Sequence, residues 1–351
     1  METISVTLTT QPKQKPADES ALGFGRLFTD HMFLMNYEEG KGWFHPRIVP
    51  YGCFDMDPAS MVLHYGQAIF EGTKCYRRED GGLQLFRPAD NLARMSRSAR
   101  RMGMPELDEE AALEGMKQLI RVDADWVPHT DGTSLYIRPT MISTDIGLGV
   151  HASKTYLFYI ILSPVGAYYK EGLKPVSIYV EDEFVRAVRG GVGFTKCAGN
   201  YAASILAGSV AEEKGFSQVL WLDGVEQKYV EEVGSMNMMF AYGNKIVTPR
   251  LNGSILPGIT RDSVLKLAAQ LGYQTEEARL DVNQIFADAK SGALTEAFGT
   301  GTAAVISPVG RLALRDETIT IGDGDIGTIS QKLYDTLTGI QYGRLEDQNG
   351  W

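Results

Sequence analysis

Cysteine is scarce: the 351 residues hold three, Cys53, Cys75 and Cys197. An odd, sparse set builds no disulfide framework and fits a reducing compartment. Positive charge is in deficit, with 34 Lys+Arg against 44 Asp+Glu and a formal net charge of −10. An acidic surface repels phosphate backbones and anionic lipid, which argues against nonspecific partners of either kind. Long apolar runs are missing. The longest telling uncharged run, Thr155 to Tyr169, has 15 residues and contains Pro164. A spanning helix needs about 20, so this run reads as a buried strand and the loop after it. The first twenty residues carry no apolar core of a secretory signal, only a polar stretch with two prolines and two lysines. They read as a loosely held arm, and the cytoplasm is the expected location. The five histidines (31, 45, 64, 129 and 151) never stand three or four apart. No helical metal pair exists, and no metal is expected.

What remains is ordinary globular composition, 44% apolar and 22% charged, at a length that favours two domains. Pro88 opens a helix over Arg87–Arg101. Asp108 caps a second that runs to about Arg121. Ser134–Arg138 and Tyr156–Leu162 read as strands, the latter apolar on both faces and so central to a sheet. Pro164, Gly166, Gly172 and Pro175 then break the pattern. They set a smaller N-terminal domain at 1–163 (with 1–20 as the arm), an interdomain loop at 164–176 and a larger domain at 177–351. In the second half a helix is expected over Asn200–Lys214. A hairpin is expected at Gly243-Asn244, and a helix follows Pro257-Gly258. Mixed strand order with hairpins points to α+β.

Three motifs fail. Gly299-Thr300-Gly301-Thr302-Ala303-Ala304 fits a relaxed dinucleotide fingerprint, but Pro308 follows too soon for the helix it must open. Gly190–Lys196 lacks the glycine-lysine-hydroxyl order of a phosphate-binding loop. Asp323-Gly324-Asp325 fails as a calcium loop, because Gly327 takes a ligand position. The surroundings of Lys196 survive. Gly190, Gly191 and Gly193 precede it and Gly199-Asn200-Tyr201 follow, so backbone and a bulky planar ligand can approach closely. Glu232 ends a strand beside Gly234, where a carboxylate can face a cofactor.

Taken in order, Phe70-Glu71-Gly72, Gly190-Gly191-Val192-Gly193…Lys196…Gly199-Asn200-Tyr201, Glu232-Val233-Gly234-Ser235-Met236-Asn237, Leu256-Pro257-Gly258-Ile259-Thr260-Arg261 and Gly299-Thr300-Gly301-Thr302-Ala303 closely resemble the branched-chain-amino-acid aminotransferases. These are fold-type IV pyridoxal-phosphate enzymes, and the resemblance runs from about Phe24 to Tyr342. It implies a two-domain architecture like that of D-amino-acid aminotransferase, with mixed sheets and a partial barrel flanked by helices. It implies pyridoxal 5'-phosphate as cofactor, and a ping-pong exchange of the amino group between L-leucine, L-isoleucine or L-valine and 2-oxoglutarate.

Such chemistry needs a lysine that condenses with an aldehyde, leaves when the substrate amine arrives and then carries a proton. The resemblance gives that role to Lys196. It gives the ring nitrogen to Glu232, with Glu231 turned the other way by strand alternation. Tyr201 is implied at the ring oxygen, with Ser235 near the cofactor where many relatives have threonine. The phosphate falls to Arg94, the amides of Ile259 and Thr260, and Thr302. Arg97 and Arg101 share a helix face with Arg94, and spacing alone does not separate the three. Substrate recognition falls to Tyr65, Phe70, Tyr136, Arg138, Tyr168 and Ala303. Strand alternation sets the Tyr136 phenol beside the Arg138 guanidinium. The loop Gly147–Val150, with Leu148 and Val150, is implied to close a neighbouring subunit's pocket, which makes the enzyme a homodimer. Alternatives of the same fold are a D-amino-acid aminotransferase and an aminodeoxychorismate lyase. A non-catalytic cofactor-binding protein is a further one.

Overall fold

The computed structural model describes residues 2–166 and 173–351. The chain forms two compact units. The first takes the described residues up to 166 together with 195–198 and 341–351; the second takes 173–194 and 199–340.

In the first unit the strands are β1 Ser5–Val6, β2 His31–Glu38, β3 Gly42–Pro50, β4 Ala68–Phe70, β5 Thr73–Arg77, β6 Leu83–Leu85, β7 Ser134–Ser143 and β8 Thr155–Val165. They form one sheet in the order β1-β3-β2-β8-β7-β5-β6, and β4 also pairs with β7. The doubly apolar strand expected near 156–162 is β8, flanked by β2 and β7. Phe158, Ile160 and Leu162 are fully buried on one of its faces. On the other, Leu157 joins Met32, Leu34 and Ile142. The helices are α1 Met61–Tyr65, α2 Pro88–Arg101 and α3 Glu109–Val122. Pro88 stands in the first turn of α2, and the Asp108 carboxylate accepts the Ala111 N–H at 3.0 Å to cap α3.

The N-terminal arm is not loose. β1 lies parallel to β3, and the Thr9 N–H donates to His31 Nε2 at 2.9 Å. His31 Nδ1 in turn meets Asp123 at 2.6 Å. The Lys13 ammonium donates to the Thr29 carbonyl at 2.7 Å, and its backbone N–H to Asp30 at 2.8 Å. Polar side chains that read as solvated are spent here on backbone groups a sheet edge leaves open.

In the second unit the strands are β9 Val176–Glu181, β10 Gln218–Leu222, β11 Val230–Val233, β12 Met236–Tyr242, β13 Lys245–Pro249, β14 Gln274–Ala278, β15 Glu296–Gly301, β16 Val305–Leu314 and β17 Glu317–Thr320. Their order is β11-β10-β9-β16-β15-β12-β13-β14, with β17 on β16. An additional pairing of β11 with β12 closes the strands from β11 to β12 into a barrel. The Gly243-Asn244 hairpin joins β12 and β13, with Tyr242 opposite Lys245. The helices are α4 Ala198–Ala202, α5 Ile205–Glu213, α6 Ile259–Gln270, α7 Val282–Ser291 and α8 Thr328–Gln341. The single helix expected over 200–214 is broken in two. The Ser204 hydroxyl donates to the Tyr201 carbonyl at 2.7 Å, a local bond that competes with the helical ladder. The Gly299–Ala304 stretch is strand and hairpin turn, as its failure to open a helix requires. The fold is α+β with mixed sheets. No helix among the described residues is long and apolar enough to cross a membrane.

Candidate active site

Lys196 belongs to the first unit. Its backbone is pinned on both sides: the N–H donates to Ser98 Oγ at 3.1 Å, and the carbonyl accepts the Phe70 N–H at 3.0 Å. Cys197 bridges to Ile69. The half-buried side chain carries Nζ 5.0 Å from the centre of the Phe70 ring. Arg138 covers the same ring at 4.7 Å and donates to the Tyr136 hydroxyl at 3.1 Å. Lys196, Phe70, Tyr136 and Arg138 are thus brought together. Gly72 makes this possible, because a Cβ there would stand 2.0 Å from Tyr136 Oη. Arg138 Nε is buried with no hydrogen-bond partner, which suits an incoming carboxylate.

Beneath this group lies a buried ion pair. Arg94 Nε donates to Glu71 Oε1 at 2.7 Å, and a terminal guanidinium nitrogen donates to Oε2 at 2.8 Å. Asn91 adds a third bond at 2.8 Å. Burial alone would raise the Glu71 carboxyl. Arg94 above all, with Lys196 and Asn91, outweighs it and holds the acid below the usual carboxylate range. Arg94, expected at a phosphate, is thereby fixed by an acid of the Phe70-Glu71-Gly72 motif.

Three further candidates of the first unit make a second group. The Tyr65 hydroxyl donates to the Leu148 carbonyl. The loop is tied to the start of α1, with the Gly147 N–H on the Ala59 carbonyl at 3.0 Å. Leu148 and Val150 are 68% and 82% exposed, too open for a side chain packed in its own unit. Tyr168 lies outside the described residues.

In the second unit strand alternation separates the two acids as expected. Glu231 accepts bonds from Asn252 at 2.9 Å and from the Ser254 hydroxyl. Burial outweighs these bonds and pushes its carboxyl up. Glu232 turns to the other side and forms a buried ion pair with Arg186 at 2.7 Å. Asn237, opposite Glu232 across β11 and β12, donates to Glu232 Oε1 at 3.3 Å and to the Leu256 carbonyl at 2.9 Å. That second bond ties the start of α6 to the acid. Gly258 has to be glycine here, because a Cβ would lie 2.0 Å from Asn237 Oδ1. Ile259 and Thr260 form the first turn of α6, where N–H groups have no acceptor within the helix. Asn237 also stands opposite Thr300, so Thr302 and Ala303 follow in the turn between β15 and β16. Val305 leaves that turn at φ +63°, a costly conformation for a β-branched residue. Tyr201 and Ser235 share a cavity of about 630 Å³ with Arg186.

Sequence reasoning missed Arg186, Asn237 and Phe24. Asn237 stood inside a quoted motif and could have been found there. Arg186 stands in an unremarkable Glu183-Phe184-Val185-Arg186 stretch, and only the fold brings it to Glu232. Phe24 meets Tyr136 edge-on at 4.9 Å. Among the described residues no group of His, Cys, Asp or Glu could hold a metal ion.

Residues 68–312 match the amino-transferase class IV family, and the chain belongs to that family: it is an enzyme, an aminotransferase. Class IV aminotransferases use pyridoxal phosphate. Over 350 residues the chain is 59% identical to branched-chain-amino-acid aminotransferase 2 of Bacillus subtilis, covering 100% of this chain and 96% of that protein. The crystal structure of the Escherichia coli branched-chain amino acid aminotransferase matches with a TM-score of 0.77 at 29% identity, covering 92% of this chain and 98% of that one. The branched-chain aminotransferase of the thermophilic archaeon Thermoproteus uzoniensis, solved with norvaline, matches with a TM-score of 0.74 at 25% identity, covering 90% and 96%.

Proposed function

We propose that this chain is a branched-chain-amino-acid transaminase that moves the amino group between L-leucine, L-isoleucine or L-valine and 2-oxoglutarate, with pyridoxal 5'-phosphate as cofactor. The observation that carries the reading is the 59% identity to a branched-chain relative over the whole chain. The donor set fits the cofactor: a half-buried lysine, a buried carboxylate backed by a cation, a helix N-terminus and a hydroxyl-bearing turn. When bound, the cofactor supplies an electron sink for the substrate α-carbon. Lys196 is the residue that would hold the cofactor through its amine, and that amine, once freed, would serve as the acid–base that moves the proton at the substrate α-carbon. Its pinned backbone leaves only the side chain to swing. Glu232 holds a proton at the pyridine nitrogen, and the Arg186 pair keeps that carboxylate aimed. Tyr201 donates to the ring oxygen, with Ser235 beside it. Ile259 and Thr260 amides, Thr302 and Arg94 hold the phosphate.

The pocket takes two kinds of side chain in turn. Phe70 and Tyr136 give aliphatic chains an apolar wall, and Arg138 receives the distal carboxylate of glutamate. The Ala303 amide meets the α-carboxylate. Tyr65 travels with Leu148 and Val150, so we assign all three to the pocket of a partner subunit in a homodimer. The three cysteines stand as free thiols, which supports a cytoplasmic setting.

Keto acid released from L-leucine by the cofactor-loaded protein tests the reading. No product from any aliphatic L-amino acid rejects it, and turnover of D-leucine alone favours the D-amino-acid aminotransferase. Lys196→Ala should abolish the visible absorbance of lysine-bound cofactor at equal loading.

A further inference from the structure

Glu231, which β11 turns away from Glu232, lines a second cavity of about 370 Å³ built only from residues of the second unit. That volume suits a small molecule. Glu231 is 4% exposed. Its Oε1 takes the bonds from Asn252 and Ser254, and among the described residues no donor reaches Oε2. A buried carboxyl oxygen at a cavity wall without a donor is an unfilled acceptor. The other two acids of the lining are spent. Asp223 accepts the N–H groups of Glu226, Lys228 and Tyr229 at 2.8, 3.0 and 2.8 Å. Glu226 pairs with Arg279, which lies over the Tyr229 ring at 3.6 Å. Two exposed arginines of the same lining, Arg189 and Arg250, are engaged by no acid among the described residues. Val230 and Ile255, each 3% exposed, give the cavity an apolar floor.

We propose that this cavity is an effector site for a free α-amino acid with a small side chain. The ligand carboxylate rests on Arg189 and Arg250, its ammonium on Glu231, and its side chain on Val230 and Ile255. Guanidiniums suit a carboxylate. Free cations and an unfilled acceptor around one apolar floor match a zwitterion better than an anion or an amine alone. Burial pushes the Glu231 carboxyl up, and an arriving ammonium relieves that cost. Ser254 joins the site to Glu232. Its hydroxyl serves Glu231, and its carbonyl accepts an Arg186 N–H at 3.1 Å. Arg186 in turn pairs with Glu232 at 2.7 Å. Gly193 closes over that carbonyl, where a Cβ would stand 2.1 Å from the oxygen. A ligand ammonium draws Glu231 into the cavity, and Ser254 and Arg186 follow, away from Glu232. Occupancy therefore lowers turnover. Binding stands apart from the transaminase reading, and its effect on turnover rests on that reading.

The probe is 2-aminoisobutyrate, which has no α-hydrogen and so is not transaminated. Calorimetry on the cofactor-loaded enzyme, with the substrate pocket saturated by 4-methylvaleric acid, should show the probe binding. Glu231→Gln, Arg189→Ala and Arg250→Ala should each weaken it by about 10-fold or more. Isobutyrate and isopropylamine, which carry one charge each, should also bind wild type at least about 10-fold more weakly. In leucine turnover the probe should lower kcat by roughly 5-fold and leave Arg250→Ala unresponsive. Absence of binding overturns the proposal, and so does binding that Arg250→Ala leaves intact. A rise in KM with kcat unchanged places the probe in the substrate pocket and overturns the effector role. Isobutyrate binding as tightly as the probe makes this an anion site and overturns the amino-acid assignment. Should Glu231→Gln fail to fold, the two exposed arginines carry the test. A wild type that turns over no aliphatic amino acid defeats the transaminase reading instead, while calorimetry still decides the site.

Discussion

Glu71 and Arg94 are buried together, and each is costly without the other. Replacing Glu71 by Gln leaves the guanidinium without its countercharge and should cost about 3–5 kcal/mol at neutral pH, measured by urea unfolding. The folded carboxyl titrates below its unfolded value. Its contribution is therefore complete above the unfolded pKa of about 4.3 and fades as pH falls through the lower folded value. Acid unfolding should accordingly be shallower in Glu71→Gln than in the wild type. Gly72→Ala forces Tyr136 from its place over the backbone. It should lower kcat/KM for both substrates at least 10-fold while costing about 1–3 kcal/mol; unchanged kinetics would show that Tyr136 has no part in the pocket. At this scale the alternation that parts Glu231 from Glu232 was legible, because it depends only on neighbours in the chain. The ion pairs of Glu71 and Glu232 were not, since Arg94 and Arg186 reach them across many intervening residues and leave no periodic trace.

Among elements, those with strong local punctuation came through: α2 behind Pro88, α3 behind Asp108, the hairpin at Gly243-Asn244 and α6 behind Gly258. Two did not. The break between α4 and α5 turns on one hydroxyl, Ser204, choosing a carbonyl three residues back. It leaves Ile205 and Leu206 67% and 59% exposed, a patch of the kind that faces another surface. The arm misled because its polar composition looks solvated, while its hydrogen bonds go to β2, β3 and their flanks. Removing residues 2–15 should lower stability by about 2–4 kcal/mol, near 1 kcal/mol for each net hydrogen bond lost. It should also raise amide exchange along β3; an unchanged melting temperature would return the arm to the status of a loose tail.

At the scale of the whole molecule, composition could not see which pieces of the chain come back. Residues 195–198 and 341–351 return to the first unit from within and beyond the second, and such long-range pairing has no local signature. The family, by contrast, was legible throughout, because its motifs are spread along the chain in fixed order. If Leu148 and Val150 enter a partner's pocket, Leu148→Asp should shift the assembly towards monomer in sedimentation and lower activity with it. Activity in a fully monomeric variant would refute that arrangement.

The return of residues 195–198 carries a consequence for biogenesis. A ribosome has released every strand of the first sheet before residues 195–198 emerge, and that segment must then travel back to the Phe70 amide and the Ser98 hydroxyl. A fragment ending at 166 owns the seat but not the lysine, and one beginning at 173 owns the lysine but not the seat. If Lys196 is the cofactor-binding lysine, neither piece made alone brings it to that seat.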